Sequence, residues 1–197
     1  MKRLPREERR KRIVLGAMKA FARSGFRGTR SRDLAKAAGV SEALIFKHFP
    51  NKRAIQKAII EERIRQSGRF LSDELRKSPP ERALAGIASR ILQSSERDPS
   101  FLRLLYFAGL EAEPLAPMFF RRRVSRNIDE LAGLVRLWIR RGWVRKSVEP
   151  RTFAWSFMGC VFQLVVVRTL FGVRRLPGGR GALAALVTDL FLRGILR

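Results

Sequence analysis

Side chains that commonly carry acid–base, nucleophilic or metal chemistry are scarce in this chain. It has one histidine, His48, and one cysteine, Cys160. A lone cysteine forms no internal disulfide, no CxxC redox pair and no cysteine-based zinc site. His48 could act as a general base only beside a suitably placed serine and carboxylate, and no such residues are suggestively spaced around it. The sequence therefore predicts no enzymatic activity, no cofactor and no metal site.

The abundant functional groups are positive charges instead. The 197 residues include 42 Lys and Arg against 17 Asp and Glu, a formal net charge of +25. Residues 1–50 are the most basic part, with 14 basic and 4 acidic side chains, a net of +10. With 46% hydrophobic residues the chain can still build a core. A folded domain this basic is expected to bind a polyanion, nucleic acid first and an anionic membrane surface second.

No segment is expected to enter or cross a membrane. The basic N-terminus lacks the apolar run of a signal peptide. The longest apolar stretch, residues 155–167, is interrupted by Gln163 and is too short for a span. We expect a cytoplasmic protein.

The elements that would position the basic residues are helices. Residues 1–12 form a charged arm, after which apolar side chains recur at helical spacing from Ile13 to Phe21, and this first helix should end at Ser24–Gly25. No segment shows sustained strand alternation. The fold class is all-α with about nine helices, and beyond Pro79–Pro80 the candidates lie at about 81–97, 99–111, 114–141, 150–171 and 180–195.

Two short predicted helices, Arg32–Ala37 and Glu42–Lys47, form a helix-turn-helix. Gly39 lets the backbone turn, and Val40 and Leu44 plug a small core. Ser41 and Asn51 are the expected N-caps of the third and fourth helices, with Thr29 or Ser31 capping the second. Such tight corners also occur in bundles that bind no DNA, but this one lies in the most basic segment, which favours DNA binding.

The same residues resemble the DNA-binding domain of TetR-type transcriptional regulators. The resemblance covers about residues 10–56 and is carried by Ile13, Ala17, Phe21, Gly25-Phe26, Thr29, Asp33-Leu34-Ala35, Ala38-Gly39-Val40-Ser41, Leu44-Ile45-Phe46, His48-Phe49, Asn51-Lys52 and Ile55. It implies a helix-turn-helix DNA-binding domain over 1–56, with the motif at about 30–49. Residues 57–197 would form a helical ligand-binding and dimerisation domain. It further implies a homodimeric regulator, usually a repressor, that binds an operator and whose affinity for that operator changes when a small molecule binds.

The resemblance also implies roles for single residues. The hydroxyl of Thr29 would cap the second helix and approach a phosphate. Phe46, His48 and Lys52 would line the phosphate backbone, and the base edges would be near Ser41, Glu42, Ala43 and Lys47. The chain departs from the family at four positions. Arg30 and Ser31 are two of them, and both are also predicted to belong to the DNA-binding surface. Phe46 replaces a usual tyrosine, and Arg53 replaces a frequent acidic residue.

Aromatic and apolar residues of the C-terminal part are expected to form a core and to line an effector pocket. The predicted lining is Phe101, Leu105, Tyr106, Met118, Phe119, Trp138, Trp155, Phe162 and Gln163. Polar groups are few there, which favours a hydrophobic or acyl-type effector. The arginine clusters at 121–123 and 140–141 are either solvated faces or receptors for an anionic group.

The last two predicted helices carry apolar stripes wide enough for a partner subunit. The predicted dimer interface is Phe157, Val161, Leu164, Leu183, Leu186, Val187, Leu190 and Phe191. The alternative is that these residues belong to the chain's own core.

Two other functions remain open from the sequence. One is a constitutive, architectural DNA binder without an effector. The other is a lipid- or acyl-ligand-binding protein without DNA affinity.

Overall fold

The computed structural model describes residues 5–97, 99–173 and 179–195, and it confirms the all-α class. In that part of the chain there are eleven α-helices and one π-helical turn, Phe120–Val124, and no strand. The helices are α1 Arg6–Gly28, α2 Ser31–Ala38, α3 Glu42–His48, α4 Lys52–Gln66, α5 Asp73–Lys77, α6 Pro80–Arg97, α7 Ser100–Leu110, α8 Leu115–Phe119, α9 Ser125–Arg140, α10 Pro150–Leu170 and α11 Gly179–Arg193. The five-residue helices α5 and α8 account for the difference from the predicted nine.

The chain divides into two compact units. The first joins the residues up to Gly68 with Ser100–Phe120, so that α7 and α8 pack with α1–α4. The second joins Arg69–Pro99 with the residues from Arg121 onward. The predicted functional boundary at 56/57 stays a prediction, and the packing groups α4, α7 and α8 with the helix-turn-helix.

Helix α1 is the scaffold of the first unit, and two glycines shape it. Gly25 has φ 68° and ψ −179°, which breaks the helix where the sequence predicted its end. At Gly16, a Cβ would lie 2.6 Å from the Cα of Ala38, so the missing side chain lets α1 approach the backbone of α2. Ile13, Ala17 and Phe21 are fully buried beneath this contact.

The core of the second unit is built around α10, which packs against α6, α9 and α11. Phe153 and Phe157 stack with ring centroids 6.3 Å apart, and Phe191 meets Phe157 edge-on at 5.3 Å. Trp138 of α9 is completely buried.

Within the described residues, α10 is also the one helix long and apolar enough to cross a membrane, with a mean hydropathy of 1.6 over 18 residues. A core helix meets the same criterion. Its buried face, which includes Phe157 and Val161, is occupied by packing inside the chain.

Candidate nucleic-acid interface

The turn between α2 and α3 has the geometry that the sequence predicts. Gly39 ends α2 in the left-handed conformation, with φ 63° and ψ 44°, and its N–H donates to the carbonyl of Lys36 at 3.2 Å. Helix α3 then begins at the Ser41 cap, whose Oγ accepts from the Leu44 N–H at 3.2 Å. The turn is therefore fixed by local chemistry.

Helix α3 is anchored by one face and exposed on the other. Ile45 is fully buried and supplies the plug that the sequence assigned to Leu44, which is only half-buried. Because residues four apart share a helix face, the exposed side chains form two adjacent columns. These are Glu42 with Phe46, and Ala43 with Lys47. The four residues, here called the α3 face, point away from the core.

The prediction that Thr29 caps α2 and approaches a phosphate is wrong. Its side chain is 1% exposed and its hydroxyl donates to the carbonyl of Gly25 at 2.6 Å, closing the broken end of α1. Arg30 is the N-cap residue instead, and its N–H donates to the Asp33 carboxylate at 2.8 Å. Arg30 is exposed and Ser31 half-buried at the start of α2.

Lys52 has a structural task that the sequence did not reveal. Its ammonium group donates to the carbonyls of Phe26 at 3.0 Å and of Thr29 at 2.9 Å, and lies 4.5 Å from the centre of the Phe26 ring. Two of its three N–H bonds are thus made to residues 26–30, which run from the break at Gly25 to the start of α2 and are here called the α1–α2 loop. Lys52 positions that loop, and a phosphate contact through its third N–H stays a prediction.

His48 lies half-buried at the end of α3, near the start of α1. Burial, followed by the charges of Arg6, Arg9, Arg10 and Lys47, lowers its pKa. The imidazole is therefore neutral near pH 7, which is unlike a phosphate-binding cation.

Positive charge surrounds the α3 face. The exposed basic side chains of α2, α3, the preceding loop and the start of α4 are Arg27, Arg30, Arg32, Lys36, Lys47 and Arg53. Beside Phe46, an open groove of about 460 Å³ is lined by Phe26, Phe46, Pro50, Asn51, Lys52 and Arg53. Surfaces with this charge attract a phosphate backbone at any sequence.

Helix α1 adds cations that the sequence placed only in an arm. The Arg10 guanidinium lies 4.9 Å from the centre of the Phe49 ring, and Arg12 lies over the turn at Gly39. Their helical spacing could have been recognised, but their place beside α3 depends on how α1 packs.

Among the described residues there is no cluster of three or more His, Cys, Asp or Glu side chains able to hold a metal ion.

A family model described as "Bacterial regulatory proteins, tetR family" matches residues 13–59, the stretch that builds this turn and its exposed helix. This segment, residues 13–59, is a DNA-binding segment of the tetR family of bacterial regulatory proteins.

Similar proteins extend the likeness beyond the TetR-family DNA-binding segment. The nucleoid occlusion factor SlmA of Marinobacter nauticus is 29% identical over 124 residues, and the match covers 61% of each chain. A TetR-family transcriptional regulator from Mesorhizobium loti superposes with a TM-score of 0.76 at 18% identity, over 99% of this chain and 100% of that one. The regulator FadR from Bacillus subtilis, in complex with stearoyl-CoA, gives 0.75 at 19%, over 93% and 98%. At these identities the solved structures establish the fold.

The residues predicted to line an effector pocket are divided between the two units of the chain. Phe101 and Phe119 meet edge-on at 5.0 Å in the first unit, where Leu105, Tyr106 and Met118 also lie. In the second unit Trp138 is completely buried, whereas Trp155, Phe162 and Gln163 are exposed. The groove beside Phe46 is lined by none of the nine, and the pocket stays a prediction.

The predicted dimer interface needs a correction. Phe157, Val161, Leu183 and Val187 are between 0% and 5% exposed, so they belong to the chain's own core and offer no surface to a partner. Leu164 and Phe191 are half-buried. The large apolar side chains that α10 and α11 do expose are Trp155, Phe162, Leu186 and Leu190.

Proposed function

We propose that this chain is a homodimeric repressor in the cytoplasm that binds an inverted-repeat operator and is released by a small hydrophobic effector. The observation that carries the proposal is the α3 face, which projects from a rigid turn amid basic residues. A helix presented in this way fits the major groove, where Lys47 can reach base edges or phosphates and Glu42 can accept from a cytosine amino group. No enzymatic role is proposed.

The operator can be selected directly from random DNA. Random duplexes retained by the purified full-length chain are amplified and sequenced over several rounds. We expect an inverted repeat whose half-sites are about one helical turn apart, because two symmetric α3 helices must enter successive major grooves. Recovery of unrelated sequences would overturn the proposal and favour an architectural DNA binder.

Lys47→Ala tests the assignment of the α3 face. We expect operator affinity, measured by fluorescence anisotropy, to fall about tenfold or more, since a positive group at the groove is lost. Lys77→Ala removes the same charge from exposed α5 and is the matched control. Equal affinities of the two variants would contradict the assignment.

Dimerisation is supported by the exposed apolar surfaces of α10 and α11. Trp155 and Phe162 are each 43% exposed, and Leu186 and Leu190 are 51% and 61% exposed. Large apolar side chains exposed together on neighbouring helices are typical of an interface between copies. A symmetric pair of these helices would form a four-helix contact.

A hydrophobic effector is supported by the composition of the second unit and by one unsatisfied polar atom. The indole N–H of Trp138 is buried and has no hydrogen-bond partner among the described residues, and a buried donor of this kind is favourable only when something accepts from it. The similar regulator FadR was solved in complex with stearoyl-CoA, which makes an acyl-type effector a natural first probe.

Titration of the chain–operator complex with stearoyl-CoA tests the effector. We expect dissociation of the complex, and weaker release in Trp138→Phe, which keeps the aromatic volume but lacks the N–H donor. Choline is the control for a ligand without an acyl chain. Binding of stearoyl-CoA without any change in operator affinity would contradict a releasing role.

A further inference from the structure

The turn that follows α7 carries two acidic residues, Glu111 and Glu113, held in a defined conformation. The N–H of Glu111 donates to the Phe107 carbonyl at 2.9 Å and that of Glu113 to the Ala108 carbonyl at 2.8 Å. Ala112 between them has φ 54°, a left-handed conformation that is uncommon for a residue other than glycine. Neither carboxylate was identified by its position in the sequence as part of the DNA-binding domain.

Glu111 binds the loop between α1 and α2. Its carboxylate accepts the Phe26 N–H at 2.7 Å and lies 3.4 Å from the Arg27 nitrogen, while the Arg27 guanidinium donates to the Glu111 carbonyl at 3.3 Å. Gly25 is shaped to this contact, because a Cβ there would lie 2.3 Å from a Glu111 carboxylate oxygen. The broken end of α1 and the acidic turn therefore fit each other closely.

Glu113 contacts the first turn of α4. It is 6% exposed, and its carboxylate lies 3.7 Å from Nε of Arg53, an ion pair without a hydrogen bond.

The two contacts are joined through Lys52. Phe26 donates its N–H to Glu111 and accepts from Lys52 through its carbonyl. Arg53, the residue after Lys52, forms the ion pair with Glu113. The acidic turn, the α1–α2 loop and the start of α4 thus form a closed ring of polar contacts. Helices α2 and α3 continue from this loop, so the ring fixes where the helix-turn-helix begins and where it ends.

We propose that Glu111 is a positioning residue for the α3 face. Through its bond to the Phe26 N–H it holds the α1–α2 loop, from which α2 and α3 continue. The inference rests on the proposed function.

The test compares Glu111→Ala, Glu111→Gln and Glu61→Ala, the last an exposed carboxylate of α4 and the matched control for charge. We expect Glu111→Ala to bind the operator about tenfold more weakly, with unchanged affinity for scrambled DNA, since the phosphate-binding cations remain. Glu111→Gln should recover part of the loss, because an amide oxygen can still accept from the Phe26 N–H. Glu61→Ala should leave both affinities unchanged.

Hydrogen exchange of single backbone amides tests the role of Glu111 without DNA. In Glu111→Ala the Phe26 amide should exchange at least tenfold faster, while the α6 amides keep their protection if the chain remains folded. Unchanged exchange at Phe26, or an unchanged ratio of operator to scrambled affinity, would overturn the role of Glu111. If the unsubstituted chain itself fails to prefer its operator, the proposed function is overturned and this inference with it.

Discussion

At Gly16, the close approach of two helix backbones leaves no room for a side chain. At Gly16 the helix α1 lies so near α2 that a Cβ would sit 2.6 to 2.7 Å from backbone atoms of Ala37 and Ala38. Backbone cannot move aside as the end of a flexible side chain can. The close packing of α2 against α1 therefore depends on glycine at position 16, which has no side chain.

Gly16→Ala should lower the free energy of unfolding by about 1–3 kcal/mol, because overpacking outweighs the better helix propensity of alanine. Gly109→Ala, in α7, is the matched control, since a Cβ there meets nothing within 4 Å. That variant should be neutral or more stable by about 0.5–1 kcal/mol. Urea unfolding of both variants measures the difference, and equal effects would contradict the proposed close approach.

His48 predicts a pH dependence of stability. Its pKa is lowered in the folded chain by burial and by Arg6, Arg9, Arg10 and Lys47, so the unfolded chain binds this proton more readily. The free energy of unfolding should accordingly fall as the pH drops below about 6.5 towards the lower folded pKa, by at most about 1.4 kcal/mol per pH unit for one proton.

Urea unfolding at pH 7.5, 6.5 and 5.5 measures this dependence against His48→Gln. His48 is the chain's only histidine, so the difference between the two proteins isolates its contribution. A parallel pH dependence in both would show that His48 is not responsible.

At the scale of elements, the sequence predicts what local chemistry determines. The Ser41 and Asn51 caps, the left-handed Gly39 and the end of regular helix at Gly25 were each predictable, because every one depends on residues a few positions away. Apolar periodicity and proline breaks predicted the first and last residues of α6, α7, α10 and α11 to within about two positions.

What escaped prediction depends on contacts between distant segments. Thr29 looks like a cap by type, but the break at Gly25 turns its hydroxyl inward. Lys52 looks like a phosphate ligand, but two carbonyls of the α1–α2 loop lie within its reach. An apolar stripe at helical spacing cannot distinguish a side that packs inside the chain, as at Phe157, from one that faces outward, as at Leu190.

Helix α11 exposes two leucines one turn apart, Leu186 and Leu190. The double variant Leu186→Glu with Leu190→Glu should be monomeric in sedimentation velocity and should bind the operator more weakly. In a symmetric dimer the glutamates of one copy would face those of the other and repel them. Leu15→Glu changes an exposed leucine of α1 and should remain dimeric. Persistent dimers of the double variant would place the interface elsewhere.

For the whole molecule, we propose that charge supplies affinity for DNA and the α3 face supplies discrimination between sequences. The net +25 extends well beyond the helix-turn-helix, so DNA of any sequence should be bound, with strong dependence on salt. In the proposed dimer, discrimination comes from base contacts made only when two α3 helices match two half-sites. Operator reading is therefore measured by a ratio of affinities rather than by any single affinity.

That ratio is the most direct test of operator reading. Anisotropy titrations at one salt concentration near 0.15 M compare a duplex carrying the selected inverted repeat with a scrambled duplex of equal length and composition. We expect a preference of at least about a thousandfold for the inverted repeat. Equal affinities for the two duplexes would contradict it.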